Sequence, residues 1–315
     1  MLAPACEMNV VLAGEESAGL QMLRTLAGSN HRLVAVLAAP PEPGSARASV
    51  WGAARNLGVE TWPAELVKDP SLADRLRSER VEILLNVHSL YIIHPEVLPA
   101  CKLGAFNLHP GPLPRYAGLN AVSWAIFRGE RMHGVTVHRM APGVDTGPIV
   151  YQSLFPIDAD DTALSLSFKC VREGVALMVR LLGVAAADPA NIPLVEQDLA
   201  KREYFSGAVP EEGRFSWSWP ARRVVDFVRA CDYSPFHSPW GHPRTRLNAQ
   251  EFALAKARPT GLACEALPGT VGKSMDCGVH VACQDEWVLV NKLLVAGASL
   301  SPQELLRPGD QLSDV

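Results

Sequence analysis

No two cysteines of the 315-residue chain have CxxC spacing, and the seven that occur (Cys6, Cys101, Cys170, Cys231, Cys264, Cys277 and Cys283) are scattered and odd in number. A disulfide frame and a structural zinc site are therefore not expected, and the thiols are read as reduced. Apolar runs stop short of the roughly 18 residues that a membrane span needs. Met1 to Cys6 puts no basic region ahead of an apolar stretch, so a cytoplasmic protein with no membrane partner is expected. Long basic runs are also missing. Lys plus Arg number 29 against 33 Asp plus Glu, a net charge of −4, which gives no electrostatic pull toward nucleic acid. The first glycine-bearing turn, GEESAG at 14–19, lacks GxGxxG and sets two glutamates where a phosphate would sit, which speaks against a dinucleotide.

What is present is an ordinary globular composition, 48% hydrophobic and 20% charged, with length enough for two domains. Short β-branched runs alternate with segments of helical spacing: MNVVLAG then GLQMLRTLAG, HRLVAVLAAP then SVWGAARNLG, SLADRLRSE then VEILLNV. This alternation predicts a doubly wound, mostly parallel α/β sheet, whose ligands bind beyond the carboxyl ends of the strands. HGVTVHRM reads as a further strand running into a Pro142-Gly143 turn, and TALSLSFKCVREGVALMVRLLG as the clearest helix. After about residue 200 the texture becomes short runs, with Trp217, Trp219 and Trp240 among them, and the strand candidates GVHVACQ and EWVLVNKLLVAG. A first domain over 1–205 and a smaller β-rich domain over 206–315 are expected.

FNLHPGPLPRYAG, 106–118, places Asn107 and His109 two apart at the end of an apolar strand, so both side chains project from one face. Prolines 110, 112 and 114 then stiffen the loop. A carboxamide can donate to a developing oxyanion and an imidazole can take a proton near neutral pH. A carboxylate to orient the ring is still needed, and Asp145 in its glycine-flanked turn is the best candidate. Taken singly, each of these residues is as readily a turn or core residue. His88, His94, His133 and His138 are read as structural.

NLHPGPLPRYAG followed by GVTVHRMAPGVDTGPIV resembles the 10-formyltetrahydrofolate-dependent formyltransferases, a group that spans methionyl-tRNA formyltransferase and the N-formyltransferases of small amines and amino sugars. GRFSWSWPARRVVDFVRAC and the PGTV at 268–271 resemble that family's C-terminal OB-like domain. The resemblance implies Asn107, His109 and Asp145 as the catalytic set and 10-formyltetrahydrofolate as co-substrate, with no metal. It also implies a pterin site near Tyr91, Ile92 and Ile93 and along Ala141, Pro142, Gly143, Val144 and Asp145. There are departures: Gly111 stands where the commonest family loop has Ser, Leu119 stands where several relatives carry Arg, and the 232–243 stretch is more aromatic. Pro112, Leu113, Tyr116, Tyr233, Phe236 and Trp240 are the candidate acceptor wall.

The acceptor is expected to be a small amine, either a nucleotide-linked amino sugar or an amino-acid-derived amine. In 206–315, eleven Lys and Arg face twelve Asp and Glu, and the PPEPGSARASV loop carries one arginine, so tRNA leaves no electrostatic footprint. The alternatives are methionyl-tRNA formyltransferase, and a formyltetrahydrofolate hydrolase or non-catalytic folate-binding protein.

Overall fold

The computed structural model describes residues 7–42, 48–89 and 91–315. Arg47 of the PPEPGSARASV loop and Leu90 beside Tyr91 lie outside them. In chain order the elements are β1 (Asn9–Gly14), α1 (Glu16–Ala27), β2 (Arg32–Ala38), α2 (Val50–Asn56), β3 (Thr61–Pro63), α3 (Leu72–Ser78), β4 (Ile83–Val87), β5 (Gly104–His109), β6 (Ala117–Gly118), α4 (Ala121–Phe127), β7 (Met132–Arg139), β8 (Ile149–Pro156) and α5 (Ala163–Ala187). There follow β9 (Tyr204–Phe205), α6 (Ala221–Ala230), β10 (Arg244–Leu247), β11 (Gln250–Ala263), β12 (Val271–Met275), β13 (Gly278–Ala282), β14 (Glu286–Val295), β15 (Ala298–Leu300), α7 (Pro302–Leu305) and β16 (Leu312–Asp314).

The described residues group into two compact units. The first takes those up to Gly118, with Gly134–Phe155 and Phe168–Tyr204; the second takes Leu119–His133, Pro156–Ser167 and Phe205–Val315. α4 therefore groups with the C-terminal residues, although it falls inside the 1–205 stretch taken from the sequence as the first domain.

In the first unit seven strands form one sheet in the order β3-β2-β1-β4-β5-β7-β8. The pairs from β3 through β5 are parallel and β5 pairs with β7 antiparallel. The central strands are buried because both faces are covered: Val10 to Ala13 and Ile83 to Leu85 have no exposed surface. On one face Trp62, Leu72, Leu76, Leu84 and Val97 form a continuous core, each such side chain contributing about 1.5–3 kcal/mol on burial.

The second unit is built on an antiparallel sheet, β12-β13-β14-β11-β10-β16, with β15 against β14. Its longest strand, β11, escapes the sequence pattern. Pro259 and Gly261 punctuate it, and its pairing with β14 shifts register between Pro259 and Ala263. Trp217 is buried and donates from Nε1 to Thr245 Oγ1 at 3.0 Å. Trp240 is buried as well, its ring 5.0 Å from Trp124 and edge-on. It is a core residue of this unit, which corrects its expected place in an acceptor wall: aromatic packing within the unit covers the ring.

Candidate active site

Strand register builds the centre of the site. Asn86 on β4 lies opposite Asn107 on β5, and Asn107 lies opposite His138 on β7. The three side chains form a row across the carboxyl end of β4. Asn86 Nδ2 donates to Asn107 Oδ1 at 2.8 Å, and Asn107 Nδ2 lies 3.0 Å from His138 Nε2. His138 Nδ1 lies 3.1 Å from the Arg139 carbonyl, which can only accept, so Nδ1 carries the proton and Nε2 accepts from Asn107. His138, read as structural from the sequence, thus lies in the same hydrogen-bonded cluster as Asn107 and Asp145. A lone histidine in a strand carries no signal of this, because the partner that matters is set by cross-strand register.

Asp145 sits in the turn after β7 with φ of +55°, in the left-handed region. Two anchors hold that turn. Gln197 Nε2 donates to the carbonyls of Asp145 (2.9 Å) and Gly147 (2.6 Å), and Arg202 Nη2 donates to the Val144 carbonyl at 3.0 Å. Gly147 is required because a Cβ there would fall 1.8 Å from the Arg139 oxygen. Held in this way, Asp145 Oδ2 accepts from Gly118 N at 2.8 Å and lies 3.4 Å from His109 Nδ1. Its Oδ1 lies 3.4 Å from both Asn107 Nδ2 and His138 Nε2. Burial pushes the Asp145 pKa up, but His109, His138 and the Gly118 N–H together outweigh it and hold the carboxyl well below the usual range.

His109 is 3% exposed, and burial lowers its pKa below the usual value despite the nearby Asp145 charge. Its Nε2 lies 2.7 Å from the Tyr116 carbonyl, so the proton of the neutral ring sits on Nε2. Gly111 makes this seat possible: a Cβ would stand 2.7 Å from His109 Nε2 and 2.8 Å from the Tyr116 oxygen. The departure from Ser at this position therefore coincides with a ring packed directly against the loop. Thr136 secures the loop in turn, its Oγ1 donating to the Gly111 carbonyl (2.7 Å) and accepting from Leu113 N (3.1 Å).

The remaining candidates divide. Pro142, Gly143 and Val144 are exposed and Ala141 is half-buried. Tyr91 and Met140 are half-buried, each packed against the core, and Ile92 is 73% exposed. Ile93 is a core residue, so its side chain offers no wall to a pterin. Leu113 and Tyr116 are likewise buried, at 3% and 1% exposure, which corrects their expected place as acceptor contacts: the side chains pack inward, and Tyr116 reaches the site through its carbonyl. Pro112 is half-buried. In the second unit Phe236 is 62% exposed, and the Tyr233 hydroxyl lies 2.9 Å from Ser123 Oγ. Among the described residues no group of three or more His, Cys, Asp and Glu could hold a metal, and no helix is long and apolar enough to cross a membrane.

The chain belongs to the formyltransferase family. Residues 8–182 match the Formyl transferase family, and residues 209–308 match its C-terminal domain. The chain is accordingly an N-formyltransferase. It is 32% identical over 286 residues to the methionyl-tRNA formyltransferase of Anaeromyxobacter sp. (strain K), with 88% of each chain covered. It is 28% identical to that of Hahella chejuensis, with 97% of this chain and 95% of the relative covered. In fold it is similar to the N-formyltransferase of Helicobacter canadensis solved with folinic acid and dTDP-3-aminofucose, with a TM-score of 0.70, 19% identity, and 90% of this chain and 99% of that chain covered.

Proposed function

We propose that the enzyme transfers the formyl group of 10-formyltetrahydrofolate to the primary amine of a small acceptor, a nucleotide-linked amino sugar or an amino-acid-derived amine. The donor's flat ring is assigned to the neighbourhood of the half-buried Tyr91 and the exposed turn at 142–144, where side chains and backbone polar groups can both meet it. The amine attacks the formyl carbon, and negative charge gathers on the formyl oxygen. Asn107 Nδ2 donates to that oxygen, giving up its weaker contact, the 3.4 Å one to Asp145. His109, kept neutral by burial, takes the amine's proton; the imidazolium then lies between two acceptors, the Asp145 carboxylate and the Tyr116 carbonyl. Asp145 then accepts from Nδ1–H and balances the imidazolium's charge; as the tetrahedral intermediate collapses, the bond from the formyl carbon to N10 breaks and the imidazolium's proton passes to N10, leaving tetrahydrofolate and the formylated amine.

Charge carries the choice of acceptor. In residues 206–315 eleven basic residues meet twelve acidic ones. Several of the cations are already engaged with carboxylates: Arg222 and Arg229 with Asp226, Arg223 with Glu211, Arg214 with Glu212 and Lys256 with Asp232. A tRNA-binding surface needs unpaired cations in a track. The whole-length similarity to methionyl-tRNA formyltransferases favours tRNA as the second reading. One experiment separates them: purified enzyme and 10-formyltetrahydrofolate offered methionyl-tRNA, dTDP-linked amino sugars, ornithine-type amines, or no amine. Formylation of a small amine supports the proposal. Formylation of the tRNA with a steep fall as salt rises overturns it, and formyl release without any amine makes the protein a hydrolase.

A further inference from the structure

Asn86 interrupts an otherwise apolar central strand, ILLNV, and one atom of its amide, Oδ1, is buried without a hydrogen-bond partner. A polar residue that leaves an acceptor unsatisfied gains nothing from packing, so its remaining bond is where its use lies. That bond is to Asn107. Asp145 can only accept, so the Asn107 amide atom 3.4 Å from it is Nδ2. The other amide atom, 2.8 Å from Asn86, is then Oδ1, and Asn86 must present its NH2 group to it. The orientation of the Asn107 carboxamide is thus held from both ends, by a donor on β4 and by His138 Nε2 on β7.

We propose that Asn86 is a positioning residue for formyl transfer: by donating to Asn107 Oδ1 it keeps Nδ2 turned toward the place where negative oxygen forms. This rests on the catalytic role proposed for Asn107. Without Asn86 the amide keeps one anchor and can turn its oxygen, an acceptor, toward the developing charge, which opposes the transition state without touching donor or acceptor binding.

The test compares wild type with Asn86→Ala and the isosteric Asn86→Asp, using 10-formyltetrahydrofolate with dTDP-3-aminofucose and ornithine as amine probes. Asn86→Ala is expected to lose kcat by roughly tenfold to a hundredfold, the scale on which outer-shell partners of site residues matter, with KM values unchanged. Asn86→Asp supplies a donor only when protonated, so its rate relative to wild type should rise as pH falls. Independently of turnover, the Asn107 side-chain NH2 signals in a protein labelled with 15N-asparagine, assigned by their loss in Asn107→Ala, should shift in Asn86→Asp. Unchanged kcat, a pH-independent ratio or unshifted Asn107 signals would overturn the proposal. If wild type formylates neither probe, the acceptor assignment fails instead, and the Asn107 signals still decide the positioning role. Thermal melting of Asn86→Asp controls for folding.

Discussion

Asp145 in the first unit and Asp226 in the second are both buried carboxylates, 9% and 3% exposed, and they keep different company. Asp226 is held by Arg222 Nε at 2.9 Å and Arg229 Nη1 at 2.7 Å. Arg229 spends two further donors on the carbonyls of Asp161 and Asp158, at 2.7 and 3.0 Å. Guanidinium groups stay charged at any working pH, so no proton can move through that cluster. It is a clasp between α6 and the segment before α5. Asp145 instead touches two imidazoles, a carboxamide and one backbone N–H, all groups that can hand over a proton or a hydrogen bond. Partners, more than burial, distinguish the aspartate that clasps a fold from the one to which we assign a part in the reaction.

The contrast is sharpest for stability. Asp226→Ala strands the buried Arg229 charge and is expected to cost about 3–5 kcal/mol of stability, while the folded fraction keeps the wild-type kcat; urea unfolding beside active-site titration reads both. In the first unit the balance should reverse. Asn107→Ala and His109→Ala should each lower kcat on the order of 10²–10³-fold, equivalent to about 2.7–4 kcal/mol of barrier. Asn107→Ala should melt close to wild type, whereas His109→Ala, which empties a buried seat and strands the Tyr116 carbonyl, should melt lower, so its kcat is taken per folded enzyme. A variant of either that turns over normally would remove its assigned role. Asp145→Asn should lose about a hundredfold in kcat, the low end of a general-base contribution, with a smaller change in folate affinity measured by calorimetry; equal losses would make Asp145 a binding residue.

The smallest effects lie in the pH dependence. Burial sets His109 below its ordinary pKa, so the ring is neutral at pH 7, and the rate should decline only as pH falls through that lowered value. The Asp145 charge raises the His109 pKa, so in Asp145→Asn the acid limb should move to still lower pH; an upward shift would contradict the ion pair. For stability, the folded-state pKa of Asp145 is depressed. Its contribution is therefore complete above the unfolded carboxylate value of about 4 and is lost as pH falls through the folded value, a loss that melting curves of Asp145→Asn should lack.

Much of this was legible in the chain. Parallel strands showed as β-branched runs between helical segments, and Asn107 with His109 showed through a spacing of two at a strand end. Asp145 showed through its turn residues. Asn86 and His138 did not, because each becomes part of the site through a neighbour some twenty to thirty residues distant, and only the register of β4, β5 and β7 brings them together. Trp240 misled for a different reason: an aromatic ring has the same composition in a ligand wall as in a core, and its edge-on partners Trp124 and Phe127 lie over a hundred residues away.

The turn that carries Asp145 is tethered through its carbonyls, at Val144, Asp145 and Gly147, by the side chains of Gln197 and Arg202. These tethers grip main chain and leave the outward side chains of Pro142 and Val144 unencumbered. Mutation or drift at those two positions can therefore recontour the rim of the site while the carboxylate keeps its address. In evolutionary terms the loop separates what must be conserved from what can diversify, and a library randomised at 142 and 144 is the natural starting point for retuning which molecules the enzyme admits.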